Sequence, residues 1–173
     1  MIVGHWPISN YTHTTQSHNN PIIDTDKRII CIDGGNQLKQ SGQLNALTIE
    51  TDTYTTSYVD CLSEKRLITK PFLSGGQRLG MIVWPHYALE IHERSTYFTR
   101  CKNIGLGTIQ WVKNEYICQE NGRTYCVNDV STTLLDVVEG EFVYMMDSSC
   151  NGYDLVKQNG EFGWIPKETH KKM

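Results

Sequence analysis

The sequence of 173 residues has no long hydrophobic run, no cluster of basic residues and no signal-like N-terminus. Because about 18 consecutive apolar residues are needed to cross a bilayer, we expect no membrane span and no membrane partner. The first residues lack the basic region and the apolar stretch of a secretory signal. We therefore expect the protein to remain in the cytoplasm.

The charge balance and the cysteine spacing argue against further functional classes, namely nucleic-acid-binding, zinc-binding and thioredoxin-like proteins. The 16 basic and 19 acidic residues give a net charge of −3, which provides no electrostatic reason for binding a polyanion, and we expect no nucleic-acid partner. The six cysteines form no C-x-x-C pair, which argues against the common zinc and thioredoxin-like patterns. Their even number permits disulfides, but without a secretory signal we interpret them as reduced, small apolar side chains.

Sustained helical periodicity is also missing, and short β-type segments bounded by turn residues occupy most of the chain. Only residues 63–73 are compatible with a turn or two of helix, which Pro71 would interrupt. Asn-Gly pairs at Asn121, Asn151 and Asn159 predict antiparallel hairpins, because both residue types accept the positive φ of tight turns. The predicted strands are 1–3, 29–32, 44–50, 53–59, 88–92, 96–100, 108–112, 116–119, 123–127, 132–137, 141–146, 153–158 and 162–165. We predict a mainly β protein with little helix.

The tripeptide Ser74-Gly75-Gly76 is the best linker candidate, since serine and glycine make flexible connections. We place a domain boundary there. It divides the chain into an N-terminal part, residues 1–74, and a C-terminal part, residues 77–173.

The C-terminal part ends in short strands, an Asn-Gly hairpin and the segment Asn159-Gly160-Glu161-Phe162-Gly163-Trp164-Ile165. In order and spacing this pattern resembles the bacterial Src-homology-three-like barrel. The resemblance covers about 45 residues and implies a small antiparallel barrel within residues 77–173, with its core at about 123–168. Such barrels bind peptides or cell-wall material, or accompany an enzyme.

Carried over, the resemblance implies an aromatic groove for an extended peptide, formed by Tyr144, Tyr153 and Trp164. The alternative is that these aromatic residues pack in the core or at the rim of a very small barrel.

The first 50 residues hold the strongest catalytic pattern. They contain Val3-Gly4-His5-Trp6-Pro7, then Ile30-Cys31-Ile32-Asp33-Gly34-Gly35, then Gly42-Gln43-Leu44-Asn45-Ala46-Leu47. This order resembles the C-terminal end of a bacterial calcineurin-like metallophosphoesterase, in the branch of serine/threonine phosphoprotein phosphatases and dinucleoside tetraphosphatases. In that family a strand ends in Gly-His before a proline, a later strand ends in Ile-Asp-x-Gly, and a Gly-x-Leu-x-Ala-Leu strand closes the sheet. The resemblance implies a partial metallophosphoesterase-type sheet in residues 1–74.

The same resemblance implies that His5 is a metal ligand and that Trp6, Asp33 and Gly34 contribute to substrate binding. In the complete enzymes two divalent transition metals, Mn, Fe or Zn, polarise the phosphoryl oxygens and generate a hydroxide nucleophile. A lone Gly-His pair is more often structural, and only the accompanying pattern favours a ligand here. His13 and His18 lie in a polar loop and are weaker metal candidates.

The chain departs from the family in one respect, because it lacks the motifs that supply most of the metal ligands. It contains no Gly-Asp-x-His, no Gly-Asp-x-x-Asp-Arg-Gly and no Gly-Asn-His-Glu. Since metal affinity follows ligand number and geometry, we expect the isolated chain to bind no metal stably and to be inactive.

The expected function is therefore that of a C-terminal fragment of a metal-dependent serine/threonine-type phosphatase. Its partner would be a second copy or a polypeptide that carries the missing catalytic half. The alternative is a non-catalytic protein- or peptide-binding module that uses the barrel.

Overall fold

A computed structural model describes residues 1–13, 15–51, 53–76 and 80–172. Within these residues the chain is mainly β, as predicted, with one short α-helix, α1 (Ser9–Thr12), and two single-turn 3-10 helices, Asn114–Tyr116 and Lys167–Thr169. The strands are β1 (Ile2–Val3), β2 (Ile22–Asp24), β3 (Ile29–Cys31), β4 (Leu44–Glu50), β5 (Thr53–Val59), β6 (Lys65–Ile68), β7 (Met81–Ile82), β8 (Leu89–Arg94), β9 (Phe98–Asn103), β10 (Ile109–Lys113), β11 (Ile117–Glu120), β12 (Arg123–Cys126), β13 (Val130–Ser131), β14 (Phe142–Asp147), β15 (Tyr153–Gln158), β16 (Glu161–Pro166) and β17 (His170–Lys172).

The strands form several small sheets. The largest has five antiparallel strands in the order β16-β15-β14-β6-β17. The others are a three-stranded sheet β10-β9-β8, a three-stranded sheet β1-β3-β2, and the two-stranded pairs β4-β5, β11-β12 and β13-β7. In the sheet β1-β3-β2, β1 runs parallel to β3 and β2 runs antiparallel to it.

The hairpins predicted at the Asn-Gly pairs are confirmed. The strands β11 and β12 meet at Asn121-Gly122, and β15 and β16 meet at Asn159-Gly160; in both pairs the two residues have positive φ. The strands β14 and β15 are also antiparallel, although the longer loop 148–152 joins them.

Two segments differ from what the sequence indicated. Residues 63–73, which were compatible with a turn or two of helix, contain instead the strand β6, whose Leu67 lies opposite both Phe142 and Lys171. Pairing on both sides with distant strands overrides the local preference. Residues 132–137 form no strand, because their two β-bridges, Leu134 to Trp164 and Val137 to Phe72, involve different partners.

The strand β6 precedes the predicted boundary at residue 74, yet it pairs with β14 and β17, which follow that boundary. The division into residues 1–74 and 77–173 stays a prediction. Residues 77–79 and 173, at the two ends of the C-terminal part, lie outside the described residues.

The five-stranded sheet is covered on both faces. Because successive side chains of a strand point to opposite faces, Val156 and Ile165 join one apolar cluster with Ile68, Val143 and other residues. On the other face Leu155 and Trp164 pack into a larger cluster contributed mainly by strands β8, β9, β10 and β12. Because both faces of the sheet are covered, nearly all residues of β15 and β16 are buried, and buried and exposed residues do not alternate along these strands.

Trp164 lies at the centre of the larger cluster and is fully buried. Its indole N–H donates to the carbonyl of Ser131 at 2.8 Å. Phe98 and Tyr116 approach the indole edge-to-face, with ring centroids 6.4 and 5.8 Å away. This is the geometry of a satisfied core tryptophan.

The N-terminal segments pack against the turn between β15 and β16. The backbone N–H of Asn19 donates to the Gly160 carbonyl at 3.1 Å, and that of Phe162 donates to the Ser17 carbonyl at 2.9 Å. Lys157, whose side chain is 1% exposed, forms an ion pair with Asp60 at 2.9 Å. Burial lowers the pKa of Lys157, and the Asp60 carboxylate opposes that effect.

The burial of Trp164 generates a stability prediction. We expect Trp164→Ala to lower the free energy of unfolding by about 3–5 kcal/mol, because it leaves a large cavity and an unpaired Ser131 carbonyl. The matched control is Trp84→Ala, which removes an indole that is 56% exposed and should cost less than about 1 kcal/mol. Urea denaturation measures both, and equal losses would contradict the core assignment.

Candidate functional site

His5 and Asp33 follow two neighbouring parallel strands. In the pair β1–β3, Ile2 lies opposite Ile30 and Val3 lies opposite Cys31. His5 and Asp33 each come two residues after the end of their strand, so both stand at the same carboxyl edge of the sheet. Ligands gather at this edge in sheets with parallel strands.

The backbone of His5 adopts an uncommon conformation. Its φ is 82°, in the left-handed region that residues other than glycine rarely occupy. Its side chain is exposed and lines a cleft. Positive φ at a non-glycine residue is found more often at functional positions than elsewhere, which makes His5 a candidate site residue on structural grounds.

The cleft has a volume of about 520 Å³, within the usual size of ligand sites. Its walls come from segments that are distant in sequence. One wall is formed by His5, Trp6, Pro7, Asn10, Leu38, Lys39 and Gln40, and the other by Trp84, Tyr87, Asn128 and Asp129.

Asp129 joins the two walls through its carboxylate. One oxygen accepts hydrogen bonds from the Trp84 backbone N–H at 2.8 Å and from the Tyr87 hydroxyl at 2.6 Å. The other oxygen accepts from the Lys39 ammonium at 2.5 Å. Burial, together with the bond to Asp129, raises the pKa of Tyr87, so its hydroxyl stays protonated at neutral pH.

Two indole rings line the mouth of the cleft. The ring centroids of Trp6 and Trp84 are 6.3 Å apart and their planes are inclined by 57°. The residues are 40% and 56% exposed. An exposed pair of tryptophans beside a polar network is a surface suited to an amphipathic ligand.

The residues predicted for substrate binding are placed differently from one another. Trp6 lines the cleft with His5, whereas Asp33 and Gly34 are not among its lining residues. The Asp33 carboxylate accepts from the Gly35 backbone N–H at 2.9 Å. Gly34 is buried, and a Cβ at this position would lie 2.3 Å from the Gln43 carbonyl oxygen. A larger residue at position 34 would clash with the backbone of Gln43, so close packing explains why this position is a glycine.

The residues predicted for peptide binding do not share an exposed groove. Trp164 is fully buried and offers no surface to a ligand. Tyr153 is half-buried and packs edge-on against Tyr97 and Phe98, with ring centroids at 5.5 and 5.0 Å. Tyr144 is half-buried in β14. The burial of Trp164 agrees with the alternative expectation, that this aromatic residue packs in the core.

Trp84, Tyr87 and Asp129 are site residues that the sequence did not identify. The segment Trp84-Pro85-His86-Tyr87 has the composition of a functional loop, and this was the available signal. Nothing in local spacing indicated that it would lie beside Trp6.

The described residues contain no group of three or more His, Cys, Asp or Glu side chains that could hold a metal ion. His13 stacks on His86, with ring centroids 6.3 Å apart, and His18 contacts the Gln16 side chain at 2.8 Å. His92 lies 3.4 Å from Glu90 in an exposed pair. His5 can therefore contribute one ligand to a metal, but the part of the chain that the structure describes does not form a complete site.

The six cysteines all lie in the described part of the chain and are free thiols. Burial raises the pKa of Cys126 to about 12, so this thiol stays protonated and unreactive at neutral pH.

Comparisons of the chain with protein-family models, with curated proteins and with solved structures find no match. Within the described ranges, no helix has the length and apolar character needed to span a bilayer.

His18 provides a pH prediction. Burial lowers its pKa below the ordinary value of 6.5, partly offset by Glu161. The unfolded chain therefore binds this proton more readily than the folded protein does, and acidification through about pH 6.5 favours unfolding. When the pH falls from about 7 to about 5, the free energy of unfolding should decrease less for His18→Gln than for the wild type.

Urea denaturation at the two pH values measures the difference. The control is His92→Gln, which changes an exposed histidine and should behave as the wild type does. If His18→Gln and the wild type lose the same free energy, burial of His18 does not contribute to the acid sensitivity.

Proposed function

We propose that this chain supplies the C-terminal part of a metal-dependent serine/threonine-type phosphatase of the calcineurin-like family. His5 would be one metal ligand, and the other ligands would come from a polypeptide that carries the missing catalytic half. The observation that carries the proposal is the parallel pair β1–β3 with His5 and Asp33 at its carboxyl edge. When bound, the metals of such an enzyme supply a Lewis acid and a hydroxide nucleophile.

The free edge of β1 supports a partner at this position. Within the described residues β1 pairs only with β3, so its other edge presents unpaired backbone groups. Met1 and Ile2 are 75% and 53% exposed. Edge strands of this kind recruit further strands, and the missing half of a catalytic sheet would satisfy the edge.

The hairpin β4–β5 exposes further apolar surface in the same part of the chain. Its exposed large apolar side chains are Leu44, Ile49, Tyr54 and Val59. Leu44 lies opposite Val59 and Ile49 lies opposite Tyr54, and the two pairs point to opposite faces of the hairpin. Exposed apolar pairs of this kind can mark an interface. A polypeptide that completes the sheet, or a second copy of the chain, would cover them.

We further propose that β6 and β14 to β17 form a small barrel of the Src-homology-three-like type appended to the catalytic part. Three features support this fold: the order β16-β15-β14-β6-β17, the 3-10 turn Lys167–Thr169 before the last strand, and the enclosed cluster that contains Val143 and Val156. Strands β7 to β13 lie between the first and second barrel strands in sequence and cover the outer face of the sheet.

A second candidate function is a non-catalytic peptide-binding module. The exposed cleft between Trp6 and Trp84 favours it, because paired aromatic surfaces recognise extended peptides. A ligand would then use this cleft in place of a groove at Tyr144, Tyr153 and Trp164, since the last of these is buried.

For the isolated chain we expect no manganese-dependent hydrolysis of p-nitrophenyl phosphate, because a single histidine cannot hold a metal pair. A steady-state assay with added manganese checks this. Hydrolysis by the isolated chain that His5→Ala abolishes would contradict the expectation, since it would show a complete site in the chain alone.

Co-expression with a calcineurin-like catalytic half that carries the Gly-Asp-x-His, Gly-Asp-x-x-Asp-Arg-Gly and Gly-Asn-His-Glu motifs tests the proposal itself. We expect a stable complex with manganese-dependent activity, which His5→Ala lowers by at least about 100-fold through loss of a metal ligand. His92→Ala, which removes an exposed histidine on β8, should leave the activity unchanged. Light scattering distinguishes this complex from self-association. An active complex that is indifferent to His5→Ala would refute the ligand assignment.

A further inference from the structure

We propose that Lys157 of β15 is a positioning residue for the candidate site. Its buried ammonium fixes the loop 34–43, which follows Asp33 and forms part of one wall of the cleft. The C-terminal part then shapes the site beside His5 in addition to packing against the N-terminal segments. The inference rests on the proposed function only where it states that this edge holds a metal, because the positioning itself concerns residues of this chain alone.

The Lys157 ammonium joins two segments that lie far from it in sequence. The side chain is 1% exposed, and its ammonium donates to the Ser41 carbonyl at 2.8 Å and pairs with the Asp60 carboxylate at 2.9 Å. Ser41 precedes β4 and Asp60 follows β5, so one cation holds both ends of the hairpin β4–β5. A buried charge is costly unless it is paired and hydrogen-bonded, so a displacement of either partner would be costly too.

The loop 34–43 is closed by its own backbone. The N–H of Gln43 donates to the Gly34 carbonyl at 3.0 Å. Within the loop, the N–H of Lys39 donates to the Gly35 carbonyl at 3.0 Å, and the N–H of Gly42 donates to the Lys39 carbonyl at 2.9 Å. A Cβ at Gly42 would overlap the Gly35 carbonyl oxygen, so the two sides of the loop are in backbone contact. A displacement at position 41 is therefore transmitted through the loop.

Two bonds connect this loop with the candidate site. The carbonyl of Asp33, directly before the loop, accepts the backbone N–H of Ile8 at 2.9 Å, and Ile8 is fully buried. This bond joins the loop to the segment that begins at His5. Inside the loop, Lys39 forms the ion pair with Asp129 at 2.5 Å. The loop therefore helps to set the position of His5 relative to Asp33 and the separation of the two walls.

A second contact, at the turn of the hairpin β15–β16, holds the same region. The Asn20 side-chain amide donates to the Asn159 carbonyl at 2.8 Å, and its oxygen accepts from the Gln43 side-chain amide at 3.2 Å. A Cβ at Gly160 would overlap the Asn20 amide oxygen. The turn therefore fits closely against the residues at the end of the loop, and it supports the anchor that Lys157 provides.

Lys113 offers a matched comparison with Lys157. Its side chain is also fully buried, and its ammonium pairs with Glu115 at 2.6 Å. The two residues are two positions apart, and both lie in the C-terminal part. Lys157 bonds instead to two segments of the N-terminal part. Removal of the Lys157 ammonium should therefore change the loop 34–43, and removal of the Lys113 ammonium should not.

Hydrogen exchange of the full chain without metal, resolved by NMR, tests the positioning. Lys157→Met keeps most of the side-chain volume and removes the ammonium. We expect the amides of Lys39, Gly42 and Gln43 to exchange at least about tenfold faster, because the loop opens locally without its anchor. This factor should exceed the factor for the amides of β9 and β10, and Lys113→Met should leave the loop amides unchanged.

Asp60→Asn is a milder variant, because it keeps the ammonium and its bond to Ser41. We expect it to accelerate exchange of the same loop amides by at least about threefold, and it decides the outcome if Lys157→Met does not fold. The proposal is overturned if the loop amides keep their wild-type rates in the folded variants. It is also overturned if they accelerate only as much as the amides of β9 and β10, or if Lys113→Met accelerates them equally.

The reconstituted phosphatase separates this inference from the proposed function. In an active complex we expect Lys157→Met to lower kcat per bound manganese by at least about tenfold and to leave KM for p-nitrophenyl phosphate within about twofold. The reason is that a displaced metal ligand weakens the chemical step more than it weakens binding of a small substrate. If no catalytic half restores activity, hydrogen exchange still decides the positioning. An active complex in which Lys157→Met accelerates exchange in the loop and leaves kcat unchanged would refute its role in catalysis.

Discussion

Burial of both faces of the hairpin β15–β16 is the constraint on which the rest of the structure depends. One face contributes Val156 and Ile165 to the cluster beneath β6 and β14, and the other contributes Leu155 and Trp164 to the cluster beneath β8 to β12. An antiparallel pair can leave one face in water, so covering both requires chain on each side. Strands β8 to β12 lie over one face, whereas β6, which comes from before the predicted boundary, extends the sheet beside β14 and adds Ile68 to the cluster on the other face.

The candidate site is a consequence of the same packing. The N-terminal segments attach at the turn of this hairpin, where Asn19 and Ser17 bond to Gly160 and Phe162. Residues 5–10 and 38–40 lie against the loops beside β7 and β13, and the Lys39–Asp129 ion pair joins the two sides. The cleft is thus a joint product of two parts of the chain, neither of which has both walls.

The aromatic residues illustrate how burial decides between two roles. Trp164 and Trp84 are equally apolar, and both lie in segments whose composition suggests binding. Trp164 follows Gly163 in a central strand and is enclosed, with its N–H satisfied by Ser131. Trp84 follows the short strand β7 at the surface and keeps its ring exposed. The difference lies in the partners of each segment, which sequence composition does not reveal.

What the sequence by itself determined is local. The Asn-Gly turns, the mainly β class and the placement of His5 and Asp33 after two strands follow from backbone preferences and short motifs, which act over a few residues. Tertiary structure alone decided that β6 pairs with β14, that residues 132–137 are not a strand, and that Trp84, Tyr87 and Asp129 meet Trp6. These outcomes depend on hydrogen bonds and apolar contacts between segments some tens of residues apart, which local propensity does not encode.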